Sequence, residues 1–186
     1  LHHSKALAYF AKHDTKIALT EARQAVALAP TYTDAQNTLG KLLMDEGRYE
    51  EAETHLMKAI GDSLYREAFK PQTNLGILYY RKGEYSKART HLSKAVEELP
   101  DGACIAHYYL GHVSLRDGKL QESQKEYEYA TQKFCARFCE SHLALGMLLE
   151  KNRNYDSARK KYLDIKQNFP NTKIAEQAME RLKYLP

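Results

Sequence analysis

A Leu-Gly pair recurs along this chain at residues 39–40, 75–76, 110–111 and 145–146, with glycine spacings of 36, 35 and 35 residues. The surroundings return with it. NTLGKLLMDEGRYEEAETHLMKAI at 37–60 reappears as NLGILYYRKGEYSKARTHLSKAV at 74–96, then more weakly at 109–130 and 144–165. A repeat of this length is one supersecondary unit that cannot bury its own apolar face, so copies must stack. The apolar residues within each copy follow helical spacing, and the 9 glycines and 5 prolines fall at intervals instead of in clusters. The expected fold is therefore an all-α stack of repeated units.

The pattern resembles the tetratricopeptide repeat, a helix pair of about 34 residues with small residues at fixed places. Ala52 and Ala59, Ala88 and Ala95, Ser123 and Ala130, and Ala158 and Ile165 occupy two of those places. The position that often carries proline reads Leu64, Pro100, Cys135 and Pro170, and an N-terminal copy fits through Ala6, Tyr9, Ala18, Ala22, Ala25 and Pro30. The resemblance implies a right-handed superhelix of about five repeats in one domain over 1–186. Their approximate bounds are 1–32, 33–68, 69–103, 104–138 and 139–171, followed by a capping helix over 172–186. Gly47, Gly83 and Gly118 stand where each first helix must stop. Tyr49, Tyr85 and Tyr155 share one repeat position and Tyr127 and Tyr162 another, which marks them as packing residues. Asn171 is placed to cap the last helix, whose Ile174, Ala178, Met179, Leu182 and Leu185 fall on one face. The first repeat looks truncated, so native sequence is expected before Leu1.

Composition narrows the functional classes. With 28 basic and 24 acidic residues intermixed, the net charge of +4 is too dilute for a nucleic-acid stripe. No apolar run approaches the ~20 residues of a membrane span, and no signal peptide is visible. There is no glycine-rich phosphate loop, nucleophile elbow or carboxylate pair repeated on a shared face, so neither an enzyme nor a cofactor is expected.

Cysteine and histidine invite closer reading. Cys104-Ile-Ala-His107 and Cys139-Glu-Ser-His142 have a spacing that can ligate zinc. They lie one repeat apart, however, and equivalent points on stacked helices are about 8–10 Å apart, so register explains them and no metal site is expected. In an oxidising compartment one disulfide among Cys104, Cys135 and Cys139 is expected. Cys104–Cys139 is favoured because both open first helices of neighbouring repeats; Cys135–Cys139 and Cys104–Cys135 stay open. His55 and His91 share a repeat position, as do His107 and His142, which suggests packing or surface roles.

In the family the first helices line a concave groove. Its positions here read His3, Leu7 and Phe10 in the first repeat, then Asp34, Asn37, Lys41 and Met44 in the second. The third gives Lys70, Thr73, Ile77 and Tyr80, the fourth Ile105, Tyr108, His112 and Leu115, and the fifth Glu140, Leu143, Met147 and Glu150. The apolar members among these point to a groove for a helix or extended peptide of a protein partner, some of them also packing between first helices. The Lys/Asn/Arg clamp with which co-chaperones of this family grip a C-terminal carboxylate is missing.

The seam at 59–76, AIGDSLYREAFKPQTNLG, is longer than the repeat requires. With the preceding repeat it resembles the PilF/PilW/Tgl family of outer-membrane lipoproteins in type IV pilus biogenesis. The resemblance rests on Asn37, Gly40, Gly47, Arg48, Tyr49, Glu51 and Ala52, then Leu64, Tyr65, Asn74 and Gly76. It implies a pilotin: a monomeric, non-enzymatic scaffold on the periplasmic face of the outer membrane. Such a protein is tethered by an N-terminal lipid lying outside this chain and assists secretin assembly. The alternative is a cytoplasmic adaptor joining soluble protein partners. On either reading Leu64 and Tyr65 are expected to plug the longer link against the core.

Overall fold

The computed structural model describes residues 1–186: eleven α-helices, one short 3-10 turn and no strands. The helices fall into two compact units, Leu1–Glu98 and Leu99–Pro186. In the first, α1 (His2–Ala11) pairs with α2 (Thr15–Leu28), α3 (Thr33–Asp45) with α4 (Tyr49–Ile60), and α5 (Phe69–Arg81) with α6 (Tyr85–Glu98). In the second, α7 (Cys104–Arg116) pairs with α8 (Leu120–Tyr129) and α9 (Cys139–Lys151) with α10 (Tyr155–Asn168), while α11 (Lys173–Lys183) packs on α10 and α9. The five expected repeats and the terminal helix are thus all present. Within the first unit each hairpin also packs on the next, first helix against first helix.

Each hairpin turns in three residues, and the middle one lies in the left-handed region: His13, Gly47, Gly83, Gly118 and Arg153, with φ between 59° and 79°. That conformation ends a helix and re-aims the chain without strain only for glycine. His13 and Arg153 adopt it with a side chain, so the turn is set by the helices it joins.

The recurring Leu-Gly pair has a steric cause. A β-carbon on Gly40, Gly76, Gly111 or Gly146 would lie 2.4–2.6 Å from a side-chain carbon of Leu56, Leu92, Tyr127 or Tyr162 respectively. The glycine therefore makes the notch into which the second helix inserts its largest buried side chain. Tyr127 and Tyr162 fill in the second unit the place that leucine fills in the first. Around them Leu145, Leu148, Leu149, Ile165, Ala175 and Ala178 form the core of that unit.

A polar contact also recurs inside the first four hairpins, joining residues 19 apart. Nδ1 of His2 meets Glu21 Oε2 at 2.6 Å, and Nδ1 of His107 meets Glu126 Oε2 at 2.7 Å. In the two repeats between, the roles are exchanged: His55 meets Gln36 Oε1 at 2.7 Å and His91 meets Gln72 Oε1 at 2.8 Å. The first-helix partner often reaches the preceding link as well. Gln36 Nε2 donates to the Pro30 carbonyl at 2.7 Å, and Nε2 of His107 and of His142 contacts the carbonyls of Pro100 and Ala136 at 2.9 Å. These latches satisfy polar groups that burial would otherwise penalise.

Burial lowers the pKa of His3, His55, His91, His112 and His142 from the ordinary 6.5. Well above pH 6.5 these side chains are neutral in both folded and unfolded chains and contribute no slope. Below it the unfolded chain takes up protons that the folded one resists, so stability falls with pH. We expect the thermal midpoint to drop as pH goes from 7 toward about 5, and His91→Gln to flatten part of that drop in a melt series at fixed ionic strength.

Two local expectations are corrected. Leu64 does not plug the α4–α5 link, being 88% exposed, while Tyr65 is half-buried. The link is held by polar contacts instead. Asp62 accepts from Thr33 Oγ1 at 2.5 Å and from the Leu64 amide at 3.0 Å, and the Tyr65 hydroxyl donates to Asp34 at 2.5 Å. At the other end Thr172, not Asn171, caps α11, its Oγ1 accepting from the Ala175 amide at 3.2 Å. Asn171 takes a left-handed turn (φ 61°) that swings the next residue into the capping place.

Candidate functional site

The groove positions separate by unit. In the first, Met44, Thr73 and Ile77 are buried, because α3 and α5 pack directly on each other. These three sequence-assigned groove residues are therefore core, a correction to their expected role. Asn37 forms a rung with the next repeat, accepting from Asn74 Nδ2 at 2.8 Å, and Lys41 lies 4.6 Å over the Phe10 ring. Leu7 is exposed, and Tyr80 is half-buried against Tyr85, their rings 5.6 Å apart. The first unit thus offers a mostly polar, internally bonded surface.

The second unit gathers its groove residues into one place. Tyr108, His112 and Leu115 from α7 and Leu143 and Met147 from α9 line a pocket of about 370 Å³, with Ala144 and Leu148 beside them. Ile174 and Gln177 of α11 form one wall, Tyr127 of α8 lies beneath, and Glu140 and Lys151 mark the rim. Helical spacing explains why α7 and α9 deliver these residues together: positions three and four apart share a face. The walls are aromatic. The Tyr108 ring meets His112 edge-on at 4.4 Å and Phe138 at 5.4 Å, and His112 meets Tyr127 at 5.4 Å. Burial holds His112 toward its neutral form, so the pocket presents an uncharged ring. Such a cavity, apolar with a few polar groups at its edge, suits a bulky apolar side chain of a partner.

Sequence reasoning did not include Tyr127, Ile174 and Gln177 in the site. Tyr127 belongs to a second helix, and α11 is a cap by its pattern; the signal was Ile174, an apolar residue at the start of a helix lying against α9. Glu150, assigned to the groove, is occupied: it accepts from Tyr162 at 2.6 Å and from Arg181 at 2.9 Å, joining α9, α10 and α11.

The favoured cysteine pairing is corrected. Cys104 is bonded to Cys135, their Cα atoms 5.3 Å apart, and Cys139 is a free, half-buried thiol. Cys104 and Cys139 open α7 and α9, whose axes stand a helix-packing distance apart, whereas the α8–α9 link folds back and delivers Cys135 to the start of α7. The paired Cys-x-x-His motifs are used structurally. Cys104 is in the disulfide, and both His107 ring nitrogens are engaged in the latch. Cys139 donates its S–H to Glu140 at 3.4 Å, and burial, then that carboxylate, hold its pKa up. No group of three or more potential metal ligands is present, and no helix is long and apolar enough to cross a membrane.

Comparison with known proteins follows the same lines. Tetratricopeptide repeat models match residues 31–98, 73–134 and 108–171. No curated protein matches by sequence. Among solved structures the chain is similar to Pseudomonas aeruginosa PilF, with a TM-score of 0.76 and 20% identity over 97% of this chain and 80% of that one. It is similar to PilW, described as a widely conserved type IV pilus biogenesis factor, with a TM-score of 0.77 and 19% identity over 94% and 79% of the two chains. It is also similar to a chain of the Cut9–Hcn1 assembly, at 0.82 and 15% over 98% of this chain and 36% of that one. At these identities the likeness is one of fold. The hairpin turns, the glycine notches and the matched repeats lead to one conclusion: the chain belongs to the tetratricopeptide repeat family, a protein-binding scaffold.

Proposed function

We propose that this chain is a pilotin-type scaffold that binds a secretin subunit and assists its assembly, working from the periplasmic face of the outer membrane. The observation that carries the binding role is the aromatic-lined pocket between α7, α9 and α11, which leaves apolar surface facing outward where a partner can cover it. The pilus context is supported by the seam and repeat residues that resemble the PilF/PilW/Tgl family, and by the fold likeness to PilF and PilW over nearly the whole chain. The Cys104–Cys135 disulfide favours an oxidising compartment over the cytoplasm. A lipid tether preceding this chain would hold it at the membrane.

Met147 is the member of the pocket to change, because it is exposed and its replacement leaves the core intact. Met147→Asp is expected to weaken capture of purified secretin by about tenfold or more, as loss of a central apolar contact does, with the thermal midpoint unchanged. Capture equal to that of the unaltered chain, or no capture by either, would overturn the proposal.

A further inference from the structure

The link between α8 and α9 holds an aromatic ring out in water. Phe134 is 82% exposed, while the adjacent Cys135 is 1% exposed. The arrangement is clamped at several points. Cys135 is bonded to Cys104, and Lys133 Nζ pairs with Asp101 at 2.7 Å. Backbone bonds from the Cys135 amide to Gln132 (2.8 Å) and from the Phe138 amide to Cys135 (2.9 Å) close the turn on either side. Lys133 itself sits at φ 48°, a conformation that side-chain-bearing residues avoid and that persists only where the surroundings over-determine it. Phe134 therefore cannot fold inward without breaking the clamp.

The chemistry around the ring is one-sided. Lys133, which precedes it, is paired with Asp101, and Arg137, which follows it, is exposed, so the tip carries a net charge of one cation. Gln132 and Ala136, also exposed, add no large apolar surface. An isolated convex aromatic is a poor match for a protein, whose hot spots sit inside a packed patch with a receiving pocket. It matches a lipid interface, where a ring enters the headgroup boundary and neighbouring cations lie at the phosphates.

We infer that the Phe134 tip is a shallow contact with an anionic lipid surface, orienting a chain that is held at the membrane by other means. One ring and one net cation give weak partition, below the ~10⁴ M⁻¹ of a single acyl chain, so the contact aligns the protein and does not anchor it. The membrane-side placement is the one proposed above, but the test uses no secretin, so either proposal can fail alone.

The chain contains no tryptophan, so Phe134→Trp is a unique fluorescent reporter in the full chain. With millimolar phosphatidylglycerol-rich vesicles we expect its emission to shift to the blue and to be quenched by brominated acyl chains. Vesicles of phosphatidylcholine alone should give much less of both. Adding Arg137→Glu should reduce partition roughly tenfold, and high salt should act in the same direction. Unaltered emission with both kinds of vesicle would overturn the inference, and so would an equal response to both. Non-reducing electrophoresis and a thermal melt confirm that the clamp and fold are intact in each variant.

Discussion

Serine in place of Cys135 is expected to lower the stability of the residue 99–186 unit by about 3–4 kcal/mol, the chain-entropy value for a closed loop of this length. The disulfide spans 31 residues and encloses all of α7 and α8, so its removal frees the unfolded chain over a whole hairpin. The loss is not only entropic. Cys135 is fully buried, and without the bond the α8–α9 link keeps only the exposed Lys133–Asp101 pair, worth little by itself, and the backbone turn. Urea unfolding followed by circular dichroism, with and without reductant, measures this. Reductant should destabilise the unaltered chain as much as the substitution does and leave the Cys135→Ser chain unchanged. Cys139→Ser should be nearly silent. If it instead costs as much as Cys135→Ser, the pairing described here is wrong.

Valine at position 76 is expected to cost about 3 kcal/mol, the upper range for overpacking a closed core. The first added carbon would lie 2.4 Å from Leu92 Cγ, and Leu92 has no exposed surface into which to retreat. Leu92→Ala alone leaves a cavity and costs about 2–5 kcal/mol. The two substitutions share one space, so the double variant should fall short of the sum by ~0.5–3 kcal/mol. Hydrogen exchange should assign the losses to α5 and α6. Strict additivity would mean that the glycine is not the notch for Leu92.

The helix hairpins were legible in the sequence because their signal is steric and local. Gly40, Gly76, Gly111 and Gly146 mark the notches, and Gly47, Gly83 and Gly118 mark the turns, whatever residues lie between. Equivalence of position, however, does not carry equivalence of environment. Met44 and Ile77 occupy the same kind of groove position as Leu115 and Met147, but direct packing of α3 on α5 buries the former pair, while the latter line an open pocket. Leu64 and Tyr65 read as apolar, yet Asp62 and Asp34 hold that link through hydrogen bonds, which hydropathy does not register. The disulfide depended on the path of residues 130–138, and no periodic pattern specifies an irregular link. The histidine latches were hidden for a different reason. Their two members lie 19 residues apart and exchange identities between repeats, so neither position alone looks constant.

That exchange has a consequence for how such a chain can be rearranged. Joining the first helix of the second repeat to the second helix of the fourth would set Gln36 against Glu126, a workable pair. The reciprocal product would set His107 against His55, two rings with no carboxylate or amide between them. Crossover inside hairpins of opposite order therefore leaves one of the two products without its polar closure, whereas crossover at the links between hairpins leaves every pair whole. For exchange between any two of the first four repeats, the smallest part that always keeps its closure is the hairpin.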